Sequence, residues 1–107
     1  MVTDKIVVFT TCNSQEQAAQ IARHLVEQRL AACATVLPGA QSFYRWKDNI
    51  ENAPEAVIMI KSRRDVFDKL REAIGQLHSD EIPEVIALPV VDGSDAYLRW
   101  IDREIAS

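Results

Sequence analysis

Ile6-Val7-Val8-Phe9-Thr10-Thr11 is a β-branched and aromatic run without polar alternation until its end, the pattern of a strand covered on both faces, β1 (6–11). Ser14-Gln15-Glu16-Gln17 then forms a capping-box pattern, after which Ala18, Ile21, Ala22, Leu25 and Val26 recur at helical spacing on one face. This predicts helix α1 over 14–29. From Cys33 to Trp46 the chain turns β-like through Thr35, Val36, Phe43, Tyr44 and Trp46, interrupted by Pro38-Gly39. Such a pair bends or bulges an edge strand but does not sit in a central ladder, so β2 (33–46) is expected to be long, bent and at an edge.

Lys47-Asp48-Asn49 reads as a turn, and Ala56 to Lys61 as the next strand, begun near Ile50 as the return arm of a hairpin, β3 (50–61), with Pro54 expected at a bulge. Ser62 or Asp65 is expected to cap a second amphipathic helix, α2 (66–77), carrying Val66, Phe67, Leu70, Ile74 and Leu77, weakened but not broken by Gly75. Glu84 to Val91 is apolar enough for a strand, β4 (84–91), which Pro89 confines to an edge. Asp92-Gly93 ends it, and Ser94 can cap a last helix, α3, on which Tyr97, Leu98, Ile101 and Ile105 share a face.

The order βαββαβ plus a terminal helix, with right-handed crossovers, gives an α+β ferredoxin-like sandwich: a four-stranded antiparallel sheet with both main helices on one face, an extended β2–β3 hairpin and a C-terminal helix. β1 and β3 are expected at the centre, β2 and β4 at the edges, in line with Pro38 and Pro89.

Length and charge narrow the function. The 107 residues, 48% hydrophobic, fit one domain over 1–107, whose modest core leaves subunit contacts room to add to stability. Twelve Lys and Arg against 16 Asp and Glu, with Arg63-Arg64 a pair rather than a patch, argue against nucleic acid, since no basic run is available to release counterions. Ile6 to Phe9 is too short for a signal-peptide hydrophobic region and no stretch approaches a membrane span, so a cytoplasmic protein without membrane contact is expected. Cys12 and Cys33 fit reduced thiols in that compartment.

The three glycines stand apart and none opens a helix after a strand, which leaves nucleotide-loop chemistry unsupported. Neither His24 nor His78 is paired locally with a nucleophile, and Cys12, Cys33, Met59, His24 and His78 show no CxxC or HxxxH spacing, so a closed zinc site is not expected. Two roles are open to Cys33: a small hydrophobe filling the core, or a soft ligand for Cu(I) shared with symmetry mates at a subunit seam. Tyr44, Arg45 and Trp46 alternate faces near the hairpin tip, where their own domain cannot bury the rings and another subunit can. Glu55 and Lys61 bracket β3, and His78, Glu81 and Glu84 follow α2 around Pro83.

Taken together, Leu30-Ala31-Ala32-Cys33, Pro38-Gly39, Ser42-Phe43-Tyr44-Arg45-Trp46, Glu55 to Lys61, His78 with Pro83-Glu84, Leu88-Pro89-Val90 and Tyr97-Leu98-Arg99-Trp100 resemble the CutA family, named for divalent-cation tolerance, over nearly the whole chain. The resemblance implies a homotrimer in which strand edges of neighbouring subunits pair through the hairpin and β4. It implies a cleft between subunits faced by Tyr44, Trp46, Glu55, Lys61, His78 and Glu84, and it ties Cys33 to copper. The chain departs from the family where Ser79 and Asp80 replace the usual Pro and Tyr and where Asp48 replaces a glycine. Thr10 stands where some members carry a further cysteine, and α2 has none, which excludes a multi-cysteine site within one subunit.

The expected function is a non-enzymatic trimer implicated in divalent metal tolerance, with weak copper binding. The alternative is a module similar to the PII-type trimers, holding a small anionic or zwitterionic ligand in the intersubunit cleft. An enzyme using His78 as acid or base across that cleft ranks last.

Overall fold

A computed structural model describes residues 2–106, so Met1 and Ser107 of the expected domain lie outside the described residues. The elements run β1 (Lys5–Cys12), α1 (Gln15–Glu27), β2 (Cys33–Trp46), β3 (Asn49–Arg63), a 3-10 turn (Arg64–Val66), α2 (Phe67–Leu77), β4 (Ile86–Pro89) and α3 (Asp95–Glu104). The sheet order is β2-β3-β1-β4 with every pairing antiparallel, as the prolines imply. β4 is four residues long, half of its expected 84–91, because pairing with β1 reaches only from Ile6↔Pro89 to Phe9↔Ile86.

Alternation in β1 and β3 sets the core. Ile6, Val8, Cys12, Ala56, Ile58 and Ile60 point to one face, where they meet Ala18, Ile21 and Leu25 of α1 and Leu70 and Ile74 of α2. Each large aliphatic side chain buried here contributes about 1.5–3 kcal/mol relative to exposure. The opposite face holds Val7, Phe9, Val57 and Met59, half-buried, with Leu37, Ile86 and Leu88 exposed. No helix covers the middle of that face among the described residues, so β1 is covered on one side only in the single chain. Its apolar run nevertheless reads as two-sided, because the second face is apolar too.

Three local expectations are corrected. The bulge lies on β2 and not at Pro54: Leu37 pairs with Val57 and Ala40 with Glu55, so Pro38 and Gly39 together oppose Ala56, with Gly39 at φ 81° taking the left-handed conformation. Pro54 stays in register opposite Gln41, in the part of β3 that β1 does not reach, so its missing N–H interrupts no β1 ladder. Neither Ser62 nor Asp65 caps α2. Ser62 donates its hydroxyl to the Leu30 carbonyl at 2.7 Å, Asp65 accepts from Arg63, and the 3-10 turn leads into the helix instead. Ser14 and Ser94 do cap α1 and α3, accepting from the amides of Gln17 and Tyr97. Ile101 on α3 and Ile105 just after it are buried, whereas Tyr97 is exposed and tilts against Trp100 with ring centroids 5.5 Å apart.

Pairing of β1 with β3 stops at Cys12↔Ala56, yet β2 and β3 stay paired out to Trp46↔Asn49. Beyond Ala56 the hairpin therefore projects as a two-stranded ribbon for about 20 Å. The radius of gyration of 14.4 Å, against about 13 Å for a compact chain of this length, reflects that arm. Lys47 and Asp48, at φ 51° and 68°, form its two-residue tip, both in the left-handed conformation that matches the twist of the strands.

Candidate functional site

The ribbon, the end of β1 and the loop after α2 enclose a cleft of about 630 Å³. Its depth comes from the overhang of the ribbon past β1. The tip turn fixes Trp46 opposite Asn49, and counting back by the pleat puts Tyr44 opposite Glu51, Ser42 opposite Ala53 and Ala40 opposite Glu55. Directly paired residues share a face, so Tyr44, Trp46, Glu51 and Glu55 fall on the side of the sheet that carries the uncovered apolar surface. Thr11 closes the floor, Phe43 joins from the alternate pleat, and Asp80, Glu81, Ile82 and Glu84 form the facing wall.

Five carboxylates line this space, from Glu51, Glu55, Asp80, Glu81 and Glu84, and none of the residues lining it carries a positive charge. Phe43 and Ile82 are 67% and 72% exposed, and Tyr44 and Trp46 are also exposed. The Lys47 ammonium stands 6.0 Å from the centre of the Trp46 ring, within cation–π range.

Of the six residues expected to face a cleft between subunits, Tyr44, Trp46, Glu55 and Glu84 line this cleft of the single chain, and Lys61 and His78 lie outside it. Lys61 lies six residues along β3 from Glu55, about 20 Å away, opposite Cys33 and Val7. The His78 side chain is fully buried behind the wall: its Nε2 lies 2.6 Å from the Thr11 carbonyl, and its Nδ1 accepts the Asp80 backbone N–H at 3.0 Å. Glu81, noted beside His78 and Glu84 in the sequence, lines the cleft as well, whereas Thr11, Ser42, Phe43, Glu51, Asp80 and Ile82 were not expected there. Glu51 was accessible from the hairpin register, since a two-residue turn at 47–48 already pairs it with Tyr44.

Cys33 is half-buried at the start of β2, on the uncovered face, with its Sγ 3.8 Å from the Thr35 hydroxyl. Cys12 lies at the far end of the sheet on the helix-covered face, and both thiols are free. Burial, with smaller contributions from Asp80 and Glu55, pushes the Cys12 thiol up to about 11, which leaves it protonated and inert at neutral pH. No group of three His, Cys, Asp or Glu side chains that could hold a metal ion occurs among the described residues. Cys33 thus fits copper only as one soft donor of a set completed by other chains.

The pattern described as CutA1 divalent ion tolerance protein matches residues 6–104. The chain belongs to the CutA1 family. The divalent-cation tolerance protein CutA of Thermus thermophilus is 41% identical over 95 residues, covering 89% of this chain and 92% of that protein. The chloroplastic protein CutA of Arabidopsis thaliana is 38% identical over 96 residues, which are 90% of this chain but 53% of that protein. The chain likewise spans about half the length of the mouse and human CutA proteins it matches. Among solved structures, CutA from Xylella fastidiosa superimposes with a TM-score of 0.95 at 40% identity, covering 97% of this chain and all of that one. The α+β sandwich described above is the CutA1 fold. No helix among the described residues is long and apolar enough to cross a membrane.

Proposed function

We propose that this chain acts as a non-enzymatic homotrimer in divalent metal tolerance, in the cytoplasm, and binds copper weakly through Cys33 at the seams between subunits. The observation that carries this reading is the uncovered sheet face: Val7, Phe9, Met59 and Leu88 surround a surface that also holds Cys33. Burying that surface against other copies removes apolar area from water and brings one thiol per chain into the seam, which supplies the second soft ligand that Cu(I) needs. The relatives' names for divalent-cation tolerance point the same way. Neither Cys12 nor His78 supports an enzymatic role, because Cys12 is protonated and buried and both His78 nitrogens are engaged by backbone groups.

The cleft favours a second, compatible reading as a small-ligand site of the PII type. Its five carboxylates oppose a simple anion and favour a ligand that presents an ammonium group, so of the expected ligand classes the zwitterion is retained.

Light scattering coupled to size exclusion, followed by anaerobic Cu(I) titration of the native protein and of Cys33→Ser, tests the main reading. A mass of three subunits with copper uptake lost in the variant is expected. A single-subunit mass, or equal uptake by both proteins, overturns it.

A further inference from the structure

His78 is engaged on both ring nitrogens by backbone groups from two separate segments. At Nε2 it faces a carbonyl, Thr11 O, and must donate; at Nδ1 it receives the Asp80 N–H and must accept. Those two constraints fix the neutral ring with its proton on Nε2. The ring is also where the chain leaves α2, its own N–H still bonded to the Ile74 carbonyl. One side chain therefore fastens the loop that walls the cleft to the end of β1. A weaker clasp beside it, the Ser79 hydroxyl donating to the Gln17 side-chain oxygen at 3.3 Å, reaches the first turn of α1.

We infer that neutral His78 is the latch that positions the acidic wall of the cleft, and that protonating it releases that wall. A proton added at Nδ1 turns this nitrogen into a donor that faces the Asp80 N–H, so the bond between them is lost. The Asp80 carboxylate, whose Oδ2 stands 3.9 Å from Nδ1, is the nearest acceptor for the new N–H. Satisfying it draws Asp80 out of the cleft and moves Glu81, Ile82 and Glu84 with it. The neighbouring elements contribute both charged and neutral groups. Asp80 comes from its own loop, Glu55 of β3 acts on Cys12 next to Thr11, the Cys12 thiol of β1 is uncharged, α1 presents the neutral Gln17 through Ser79, and α2 presents only its Ile74 carbonyl. The latch acts on the shape of the wall and does not depend on which ligand, if any, the cleft takes.

The test follows the ring nitrogens of His78 and the Asp80 amide of the isotope-labelled, assembled protein by NMR between pH 8 and pH 5, with the half-buried His24 as internal reference. The ring is expected in the Nε2–H form at pH 8, with the Asp80 amide moving at the same midpoint as the ring. Its exchange rate, corrected for intrinsic pH dependence, should rise about tenfold or more as local opening replaces the hydrogen bond. His78→Asn keeps an acceptor for the amide two residues on but does not titrate, so its Asp80 amide should stay fixed across the range. An Nδ1–H tautomer at pH 8, a ring that does not titrate, an Asp80 amide that ignores the ring's transition, or an H78N protein with the native pH response would each overturn the inference. The measurements on the native protein decide the matter if the variant fails to fold.

Discussion

The ammonium of Lys5 lies 3.1 Å from the carboxylate of Asp102, with the lysine side chain 7% exposed although it sits in the first strand. Asp102 also takes the Arg63 guanidinium at 3.3 Å, so one carboxylate of α3 joins neighbouring positions of β1 and β3 on the otherwise uncovered face. Burial alone would draw the Lys5 ammonium down, but its hydrogen bonds to Asp4 and Asp102 outweigh that and leave it raised. Burial would likewise raise Asp102, and the bonds from Lys5 and Arg63 outweigh it and leave its carboxyl below the ordinary range.

Because the folded Asp102 holds its proton less tightly than the unfolded chain, its stabilising effect is present above the ordinary carboxylate value and lost as pH falls through the lowered one. Asp102→Asn should cost about 1 kcal/mol at pH 7, a figure discounted because the carboxylate is half exposed to solvent. The difference between the two proteins in urea denaturation should shrink as pH falls below the ordinary carboxylate range. A constant difference across that range would assign the effect to packing.

Cys12 predicts a loss of stability in alkali. Its thiol is raised from about 9 to about 11, so the folded state holds the proton through that window and stability declines as pH rises across it. The loss approaches about 2–3 kcal/mol if the thiolate stays buried. Comparing thermal midpoints of the native protein and Cys12→Ala from pH 8 to 10.5 isolates this contribution, since other alkaline titrations are common to both. Parallel curves would show that Cys12 contributes nothing to the alkaline loss.

Ile86→Asp tests the uncovered face. Ile86 is 52% exposed in the single chain, where its replacement should change stability by no more than about 0.5 kcal/mol. In an assembly that buries the face, an unpaired carboxylate enters an apolar seam, and the mass by light scattering should fall to one subunit at low micromolar concentration. A variant that keeps the native mass would move the seam elsewhere.

Thr10→Val should leave stability unchanged or raise it by about 1 kcal/mol. The Thr10 hydroxyl is buried on the helix-covered face with no hydrogen-bond partner among the described residues, and valine fills the same shape without a polar atom to desolvate. A urea midpoint that falls by more than the error would reveal a partner for that hydroxyl.

The element order, the strand positions in the sheet and the bounds of β2 were legible because proline, β-branching and helical spacing act locally. The bulge was not. Pro38-Gly39 and Pro54 look equally disruptive in sequence, and what separates them is that β1 ends opposite Ala56, a fact of tertiary pairing. Ser62 looked like a cap until the Leu30 carbonyl, 32 residues earlier, took its hydroxyl. Four of the six residues expected at a cleft between subunits share the cleft of the single chain, because the hairpin register and the β1 overhang carry them together. Lys61 lies outside that cleft by its distance along the strand, and His78 is drawn behind the wall by two backbone partners whose approach no sequence pattern records.

If the proposed trimer forms, the projecting ribbon would make folding of this protein sensitive to its own concentration. A lone pair of strands is marginal in water, and the arm beyond Ala56 has no third strand among the described residues, while its tip winds through two non-glycine residues in the left-handed conformation. The sheet and its two core helices can therefore form first and the arm last, and in the proposed trimer another chain would supply the missing strand. Dilution would then fray the molecule from the hairpin tip inward while the helical side stays intact. In that assembly the arm, with one wall of the cleft, would respond to how many copies are present.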